Sequence, residues 1–340
     1  METKRWNLEN EITDKEVAIE EAAKLLLAGE TVAFPTETVY GLGADATNEE
    51  AVAKIFEAKG RPQDNPLIAH VATKQQLKQL VDNLPTYAEK LIDTFAPGPL
   101  TFVLPGNGTC ANNVIAGLST IAVRMPDHPV ARQLLKSCNI PIAAPSANIS
   151  GKPSPTTADH VKNDLFGKIA GLLDGGATGV GLESTVIDCT QNIPIILRPG
   201  GITKEQLEEA VGLVMMDPAI VNNNEKPKSP GMKYKHYSPE VPLWLINGTT
   251  DKIQYYIDQE QKKNNRVGVL ASTNFAKTIK ADEIIPLGEN MNEIAANLYD
   301  GLRRFKQGDV DIILCESFPE AGIGQAVMNR LRKAASVYLD

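Results

Sequence analysis

The chain has 340 residues, of which 42% are hydrophobic and 22% are charged, and its formal net charge is -8. This composition excludes a largely disordered chain, and the length favours two domains over one. The acidic balance argues against a surface whose main role is to bind nucleic-acid phosphates, so any anion site has to be a local feature.

Helix and strand patterns alternate from the start of the chain. Apolar residues recur at helical spacing over residues 14–28, and a buried strand follows at residues 31–34. Thr47 and Glu50 have the spacing of a capping box. They predict a helix that begins after Thr47 and ends at Gly60.

Short strands and helices continue up to residue 211. The predicted strands are residues 67–71, 100–104, 121–124, 140–144, 169–173, 185–188 and 193–197. One helix is predicted to begin after Thr73. Three more are predicted at residues 129–136, 158–166 and 204–211. Because strands outnumber helices, we predict an α/β domain with a twisted mixed sheet rather than a strict βαβ repeat.

A linker separates this region from a second alternating pattern. Asn, Pro, Gly and Lys crowd residues 216–240, which we predict to join a domain of residues 1–215 to one of residues 241–340. In the latter, strands are predicted at 243–246, 267–270, 283–286 and 312–315, and helices at 252–262, 291–305 and 325–335. The alternation predicts a smaller, mainly parallel, Rossmann-like domain.

Lys59 and Arg61 are two cations at a predicted helix end. Cations favour the C-terminal end of a helix dipole, and glycine followed by proline is an ordinary helix stop, so a purely structural role also explains them. Ser146 and Asn148 follow the apolar stretch 141–145 and would leave a strand as two small polar groups. If the fold brings the two pairs together, they form a pocket for a polyanion and a small polar substrate.

Other polar loops follow predicted strands, where α/β sheets place their ligands. Residues 35–43 are dense in hydroxyls and glycines, and Arg198 adds a cation at another strand end. Glycines within 175–181 would let backbone N–H groups approach an anion. A polar turn with two flexible glycines explains residues 35–43 equally well. His70 lies in or beside a strand, where a histidine is more often a core residue than a catalyst.

Several familiar signatures are absent from the sequence. It has no P-loop, no HExxH motif and no GxSxG nucleophile elbow. The four histidines are scattered and the four cysteines lie far apart, which predicts no protein metal site and a reduced, cytoplasmic chain. No stretch reads as a signal peptide or a membrane span.

Taken in order, several motifs resemble the threonylcarbamoyl-AMP synthase family, the YrdC-like proteins, in its two-domain form. The matching stretches are FPTETVYGL (34–42), KGRP (59–62), NPLI (65–68), AVRMP (122–126), APSAN (144–148), ESTV (183–186), LRPG (197–200) and, in the linker, SPGMKYKHYSP (229–239). The resemblance implies a YrdC-like catalytic domain followed by a Rossmann-like domain.

The resemblance also implies an activity. An enzyme of this family would convert L-threonine, bicarbonate and ATP, with Mg²⁺, to threonylcarbamoyl-AMP and pyrophosphate. The product would serve the threonylcarbamoyl modification of adenosine 37 in tRNA, which a separate transferase complex completes. Neither membrane association nor stable nucleic-acid binding is expected.

The family pattern assigns roles to individual residues. The polar tetrad at the nucleotide and the reacting groups would be Lys59, Arg61, Ser146 and Asn148. ATP would also contact Thr120, Ser154, Arg198 and Tyr237, and L-threonine would contact Thr36, His70, Arg124 and Ser184. Because Tyr237 lies in the predicted linker, we expect this segment to fold over the nucleotide as a lid.

Two other functions stay open at this point. One is a protein that binds double-stranded RNA on a concave surface, although the acidic net charge counts against it. The other is a hydrolase or a regulatory nucleotide-binding protein with the same pocket. Pyrophosphate release from ATP that requires both threonine and bicarbonate would separate a synthase from either.

Overall fold

The computed structural model describes residues 2–10, 12–220 and 236–340, which fall into two compact units. The first contains the described residues of 1–150, 155–179 and 183–233, and the second those of 151–154, 180–182 and 234–340. Most of the predicted linker, including residues 229–235 of its motif, lies outside the described residues. The predicted bounds of the two domains and of the linker between them therefore stay predictions.

The elements of the first unit are, in chain order, β1 (Lys4–Asn7), α1 (Lys15–Leu27), β2 (Val32–Phe34), β3 (Gly41–Asp45), α2 (Glu49–Lys59), β4 (Ile68–His70), α3 (Lys74–Lys78), α4 (Thr86–Phe95), β5 (Leu100–Pro105), α5 (Asn112–Ile115), β6 (Thr120–Arg124), α6 (Pro129–Cys138), β7 (Ile142–Ala143), α7 (Ala158–Leu165), β8 (Gly171–Asp174), β9 (Thr185–Asp188), β10 (Ile195–Arg198), α8 (Lys204–Val211), β11 (Met215–Met216) and a 3-10 turn (Pro218–Ile220). Those of the second unit are β12 (Leu243–Ile246), α9 (Thr250–Lys262), β13 (Val267–Ala271), α10 (Thr273–Ala276), β14 (Glu283–Pro286), α11 (Met291–Arg304), β15 (Ile312–Glu316), α12 (Gly324–Ala334) and β16 (Val337–Leu339).

The strands described in the first unit form one mixed sheet, in the order β1-β8-β2-β3-β7-β4-β6-β5-β9-β10-β11. Its centre combines both strand directions. β4 runs parallel to β6, with His70 beside Arg124, whereas β5 runs antiparallel to β6, with Thr101 beside Arg124. The predicted mixed sheet is confirmed.

The two faces of this sheet are packed differently. Alternate residues of a strand share a face, and on one face Ala33, Ala69 and Ala143 join a core cluster with α2, α4, α5, α7 and α8. On the other face, α1 and α6 pack on β2, β7 and β8. Over β4, β5, β6, β9 and β10, this second face carries a small apolar cluster whose described members are all strand residues: Ile68, Val103, Ala122, Val186, Leu197 and, partly buried, Ile195. We call this region the strand-only face.

The second unit is built on a parallel sheet. Its described strands follow the order β14-β13-β15-β12-β16, and every neighbouring pair runs parallel. Parallel neighbours need crossover connections, and helices supply them here, with Ile253 and Ile257 of α9 packing against Val267 and Val269 of β13. The predicted Rossmann-like domain is confirmed. None of the helices in the described part of the chain has the length and apolar character of a membrane span.

The cap of α2 differs from the prediction by one residue. Asn48, not Thr47, is the N-cap, because its side chain accepts hydrogen bonds from the backbone N–H groups of Glu50 (3.0 Å) and Ala51 (3.1 Å). The Thr47 hydroxyl donates instead to Asp45 at 2.7 Å. Both residues are good N-caps, so the spacing alone did not separate them.

Strand β3 was not predicted, since its glycines and the preceding hydroxyls are typical of a turn. Close packing explains its composition. A Cβ atom on Gly43 would lie 2.8 Å from Ile142 and 2.9 Å from the ring of Phe34. A side chain at this position would therefore clash with both neighbours, and a buried strand uses glycine here.

Candidate functional site

Lys59 is the last residue of α2, and only 2% of it is exposed. Its ammonium donates to the carbonyl oxygens of Ser146 and Asn148, each at 2.5 Å. Gly60 ends the helix in the left-handed conformation, with φ at 60°. A cation that served only the helix dipole would remain in water, because burial of an ammonium is costly. The buried position of Lys59 therefore indicates a role beyond helix capping.

Ser146 and Asn148 lie in the loop that follows β7. The Ser146 hydroxyl donates to Asn148 Oδ1 at 2.5 Å, and Asn148 Nδ2 donates to the carbonyl of Ile149 at 2.8 Å. The backbone N–H of Ser150 donates back to the carbonyl of Lys59 at 2.9 Å. The helix end and the strand end singled out in the sequence are thus joined directly.

Arg61 and Thr120 lie at the adjoining end of the central strands. Arg61 Nη2 donates to the carbonyls of Asn65 and Pro66, both at 3.3 Å, just before β4 begins. Thr120 is the first residue of β6, which runs parallel to β4, so it lies at the same end of the sheet as the start of β4.

The side chain of Arg124, at the other end of β6, is held by three residues from two segments. It is 4% exposed, and its Nη2 donates to Glu37 Oε1 at 2.5 Å. Its Nη1 donates to Thr38 Oγ1 at 3.0 Å, and its Nε donates to the carbonyl of Gly98 at 3.3 Å. The second oxygen of Glu37 accepts from the N–H of Asp127 at 3.0 Å. Glu37 therefore neutralises Arg124 and fixes its orientation.

Thr36 continues this group of hydroxyls. Its Oγ1 donates to the carbonyl of Val39 at 2.7 Å and lies 2.8 Å from Thr38 Oγ1. A hydroxyl has one proton, so Thr38 must be the donor to Thr36. The chain of donors runs from Arg124 through Thr38 to Thr36, and it gives each hydroxyl a defined direction.

Ser184 and Arg198 extend the group across the sheet. Thr101, which pairs with Arg124, has its hydroxyl 2.7 Å from Ser184 Oγ. Arg198 Nη2 donates to the carbonyl of Ser184 at 2.9 Å and to its hydroxyl at 3.2 Å. Arg198, assigned to ATP from the resemblance, thus lies with Ser184, a residue assigned to threonine.

A register shift in β10 turns Arg198 onto the strand-only face. Ile196 pairs with Ile187, but Arg198 pairs with Val186, so Leu197 is an extra residue. Paired residues share a face, and Val186 belongs to the strand-only face. With strict alternation, Arg198 would have pointed to the helix-covered face with Ile196.

The loop at residues 36–40 joins the two ends of the site. The N–H of Ala147 donates to the carbonyl of Tyr40, and the N–H of Leu42 donates to the carbonyl of Pro145, both at 2.8 Å. The loop that carries Thr36 is therefore bonded to the loop that carries Ser146. Hydrogen bonds and strand pairing connect Lys59 with Arg124 in one network.

The glycine run at 175–181 contacts the Tyr40 side chain. The N–H of Gly175 donates to the Tyr40 hydroxyl at 3.2 Å, and that hydroxyl donates to the carbonyl of Gly176 at 2.7 Å. The N–H groups of Gly176 and Thr178 also donate within the protein, at 3.2 and 3.0 Å. These three N–H groups are used within the protein and connect the run to the Tyr40 loop, and an anion-binding role for the rest of the run stays a prediction.

His70 is a core residue of the first unit. Its Nδ1 lies 3.1 Å from the carbonyl of Ile68, and its ring meets that of Phe34 edge-on with the centroids 6.3 Å apart. Burial, reinforced by the positive charge of Arg124, lowers the pKa of His70 to about 3. Its imidazole is neutral at physiological pH, and its assignment to threonine stays a prediction.

Ser154 and Tyr237 belong to the second unit. Tyr237 is buried, adopts a φ of 63°, and stacks on Tyr299 with the ring centroids 5.4 Å apart. The guanidinium of Arg330 lies 5.7 Å from the centroid of the Tyr237 ring. The assignments of Ser154 and Tyr237 to ATP, and the lid, stay predictions.

Three residues of this network were missed in the sequence: Glu37, Thr38 and Thr101. The first two lie inside the motif at 34–42, where a carboxylate between two hydroxyls was the available signal. Thr101 gave no signal, since a threonine in a strand is ordinary. Among the described residues, no group of three or more His, Cys, Asp and Glu side chains is placed to hold a metal ion.

Two families match successive parts of the chain. Residues 24–200 match the Sua5, YciO and YrdC family, described as telomere recombination. Residues 202–336 match the family described as threonylcarbamoyl-AMP synthase, C-terminal domain.

Individual relatives match nearly the whole chain. A Bacillus subtilis protein named threonylcarbamoyl-AMP synthase is 52% identical over 340 residues, with 98% of each chain covered. A Pyrococcus abyssi protein of the same name is 48% identical over 319 residues, covering 92% of this chain and 93% of its own. The crystal structure of P. abyssi Sua5 complexed with L-threonine has a TM-score of 0.92 at 45% identity, covering 100% of this chain and 99% of that one. These matches favour the synthase over the RNA-binding and regulatory alternatives.

Proposed function

Because the chain belongs to the threonylcarbamoyl-AMP synthase family, an enzyme family of the nucleotidyltransferase type, we propose that the network connecting Lys59 with Arg124 joins L-threonine, bicarbonate and ATP into threonylcarbamoyl-AMP and pyrophosphate. The supporting observation is the continuous network that links the buried ammonium of Lys59, through the loop at 36–40, with Arg124. A cationic end and a hydroxyl-lined end suit a nucleotide and a small hydroxy amino acid, respectively.

The chemistry brings two anions together. The amine of threonine captures CO₂ derived from bicarbonate, and the oxygen of the resulting carbamate attacks the α-phosphate of ATP while pyrophosphate leaves. Two unit charges 4 Å apart repel by about 1 kcal/mol in water and by about 4 kcal/mol at an effective dielectric constant of 20. Fixed positive charge near the reacting groups has to offset this repulsion.

The cations contact the protein in different ways. Arg124 is paired with Glu37 at 2.5 Å, so it orients a substrate more than it attracts one. The Lys59 ammonium donates to two carbonyls that lie next to the proposed reacting groups, and Arg61 also donates to two carbonyls. Following the family pattern, we assign charge neutralisation at the phosphates to Lys59 and Arg61, with Arg198 as a third contributor.

The hydroxyl-lined end would hold threonine. Thr36, Thr38, Thr101 and Ser184 provide donors and acceptors beside the Arg124 guanidinium, which suits an α-carboxylate and a side-chain hydroxyl. Serine lacks only one methyl group, so its rejection is worth only about 1–3 kcal/mol. Valine would be rejected more strongly, since it would leave a buried polar partner without a hydrogen bond.

No protein nucleophile or general base is needed in this scheme. The carbamate is the nucleophile, and His70 is neutral and buried. Mg²⁺ enters as part of the substrate MgATP, since phosphate oxygens and water are its usual ligands. Catalysis then consists of positioning and charge neutralisation by the protein.

The product defines the next step. A mixed anhydride of a carbamate and AMP is a reactive acyl donor, and we propose that a separate transferase complex passes its threonylcarbamoyl group to tRNA. All four cysteines of the chain are free and buried. Unpaired cysteines fit a reducing compartment, and we place the enzyme in the cytoplasm.

The deciding experiment measures pyrophosphate release from ATP, with threonine, bicarbonate and Mg²⁺ omitted in turn, and identifies the adenylate by mass spectrometry. We expect release only with all components present, and a product with the mass of threonylcarbamoyl-AMP. Release that is independent of threonine would instead indicate a hydrolase. RNA binding with a steep salt dependence and no ATP consumption would contradict the proposal.

A further inference from the structure

The loop that carries Ser146 and Asn148 continues into the second unit. Ser150 still belongs to the first unit, where its N–H donates to the carbonyl of Lys59, but residues 151–154 belong to the second. Gly151 makes this transition with φ at 91°, a conformation that other residues adopt at a cost. The second unit therefore holds one end of a loop whose other end carries two predicted catalytic residues.

Arg303 holds this loop end. It lies in the last turn of α11 and is only 8% exposed. Its guanidinium donates twice to the carbonyl of Pro153, from Nε at 3.1 Å and from Nη2 at 2.5 Å. A guanidinium that loses its water needs strong acceptors in return, and this fork on one carbonyl supplies them.

The C-terminal end of the linker meets the loop at the same place. The N–H of Ser238 donates to the carbonyl of Gly151 at 2.9 Å, and Glu240 lies 3.5 Å from Lys152 and from Lys306. A cavity of about 20 Å³ is lined here by residues 152–153, 238–240, 302–303 and 305–306. The Ser238 hydroxyl has no hydrogen-bond partner among the described residues, and a cavity of this size holds one water molecule.

We propose that Arg303 is a positioning residue for the synthase reaction, acting through Pro153 on the loop that carries Ser146 and Asn148. The inference rests on the proposed function and gives the second unit a part in it. Three segments contact one another near Arg303. They are the end of the loop that carries Ser146 and Asn148, the end of the predicted linker and the end of α11. Fixing the loop at Pro153 restricts the carbonyls that receive the Lys59 ammonium.

A role limited to the helix dipole is the alternative, because an arginine in the last turn of a helix stabilises it anyway. Arg304 distinguishes the two explanations. It occupies the same turn of α11 and is exposed. Both residues serve the dipole, but only Arg303 donates to Pro153, so R304M is the matched control for R303M.

The test measures kcat, and KM for ATP and for threonine, in the full-length R303M, R303K and R304M variants, with thermal unfolding of each. Small displacements of catalytic groups cost up to about 100-fold, so we expect R303M to lower kcat by about 10- to 100-fold. R304M should stay within about twofold of the unmodified protein. R303K should recover part of the loss, since an ammonium donates to the same carbonyl.

Hydrogen exchange separates positioning from general destabilisation. The Ser150 N–H should exchange faster in R303M and R303K than in R304M. If R303M does not fold, a lower kcat in R303K at an unchanged melting temperature would still show that Arg303 positions the loop. The proposal is overturned if folded R303M keeps the original kcat and both KM values, or if kcat falls only in step with stability. If the unmodified protein is an active synthase and only the role of Arg303 is overturned, the proposed function stands. If the unmodified protein forms no threonylcarbamoyl-AMP, the proposed function and the role of Arg303 are both overturned.

Discussion

Arg124 and Glu37 form a buried ion pair that organises the hydroxyl-lined end of the site. Their side chains are 5% and 15% exposed. Removing one partner of such a pair leaves the other charge buried without compensation, which costs about 3–5 kcal/mol. Glutamine keeps the shape and a hydrogen bond, so the cost of E37Q should be smaller.

We predict that E37Q lowers the free energy of unfolding by about 1–3 kcal/mol and raises KM for threonine more than KM for ATP. Urea unfolding and steady-state kinetics measure the two effects. E30Q is the control, because Glu30 pairs with Lys54 where both side chains are partly exposed, and such pairs contribute about 1 kcal/mol or less. Equal effects of E37Q and E30Q on stability and on KM would contradict this role.

His70 links stability to pH. Its pKa is lowered to about 3 by burial and by Arg124, whereas an unfolded histidine has a pKa near 6.5. The unfolded state therefore takes up a proton first, and the stability due to neutral His70 is present above pH 6.5 and is lost as the pH falls towards 3.

We predict that the unmodified protein loses stability more steeply than H70N between pH 6.5 and 4. Urea unfolding at several pH values compares the two proteins, and the comparison cancels the contribution of His128, whose pKa burial also lowers. The kcat profile should show no ionisation of His70 between pH 5 and 8. Parallel stability curves for the two proteins would contradict this assignment.

Single residues were predictable from the sequence where a motif kept them close together. Lys59 with Arg61, and Ser146 with Asn148, each lie within a few residues of one another. The Arg124–Glu37 pair joins segments 87 residues apart, so local patterns could not show that the guanidinium is neutralised. The neutral state of His70 also depends on packing against Phe34 and Arg124 rather than on neighbouring sequence.

Helix α2 places Lys59 through its C-terminal cap. Gly60 has a φ of 60°, and a Cβ atom there would meet nothing within 4 Å. The cost of a side chain is therefore confined to the backbone conformation, at about 1 kcal/mol. Any shift of this turn moves Lys59 relative to the carbonyls of Ser146 and Asn148.

We predict that G60A lowers the free energy of unfolding by about 1 kcal/mol and also lowers kcat several-fold. Gly108 is the matched control, because it has a φ of 81° and equally open surroundings. G108A should show the loss of stability with kcat unchanged. A G60A variant with the original kcat would argue against a strict requirement for the position of Lys59.

Many regular elements were predicted closely, but helix α4 and several short strands were not predicted. The strands at 185–188 and 243–246 and the helix at 204–211 have the predicted bounds. β3 was missed because its close packing requires a glycine at residue 43, and glycines in a sequence are typical of a turn. The bulge in β10, which directs Arg198, arises from pairing with β9 and has no local signature.

The predicted linker contains Tyr237 and is expected to act as a lid over the nucleotide. The resemblance predicts a lid that carries Tyr237 to the nucleotide, and this prediction is separate from the role of Arg303. A chain that ends at Ile220 keeps every described helix and strand of the first unit. We predict that this truncated chain, shown to be folded by circular dichroism, has a raised KM for ATP and reduced turnover. Full activity with an unchanged KM for ATP would refute the lid.

The most direct measurement compares threonylcarbamoyl-AMP formation by the unmodified protein, K59A and K54A. Both lysines lie on α2, but Lys54 pairs with Glu30 in a partly exposed position, whereas Lys59 is buried against the Ser146 loop. If fixed positive charge brings the carbamate and ATP together, folded K59A should lose at least about 100-fold in kcat/KM, equivalent to about 2.7 kcal/mol, and K54A should lose little. Undiminished adenylate formation by a correctly folded K59A would contradict this mechanism.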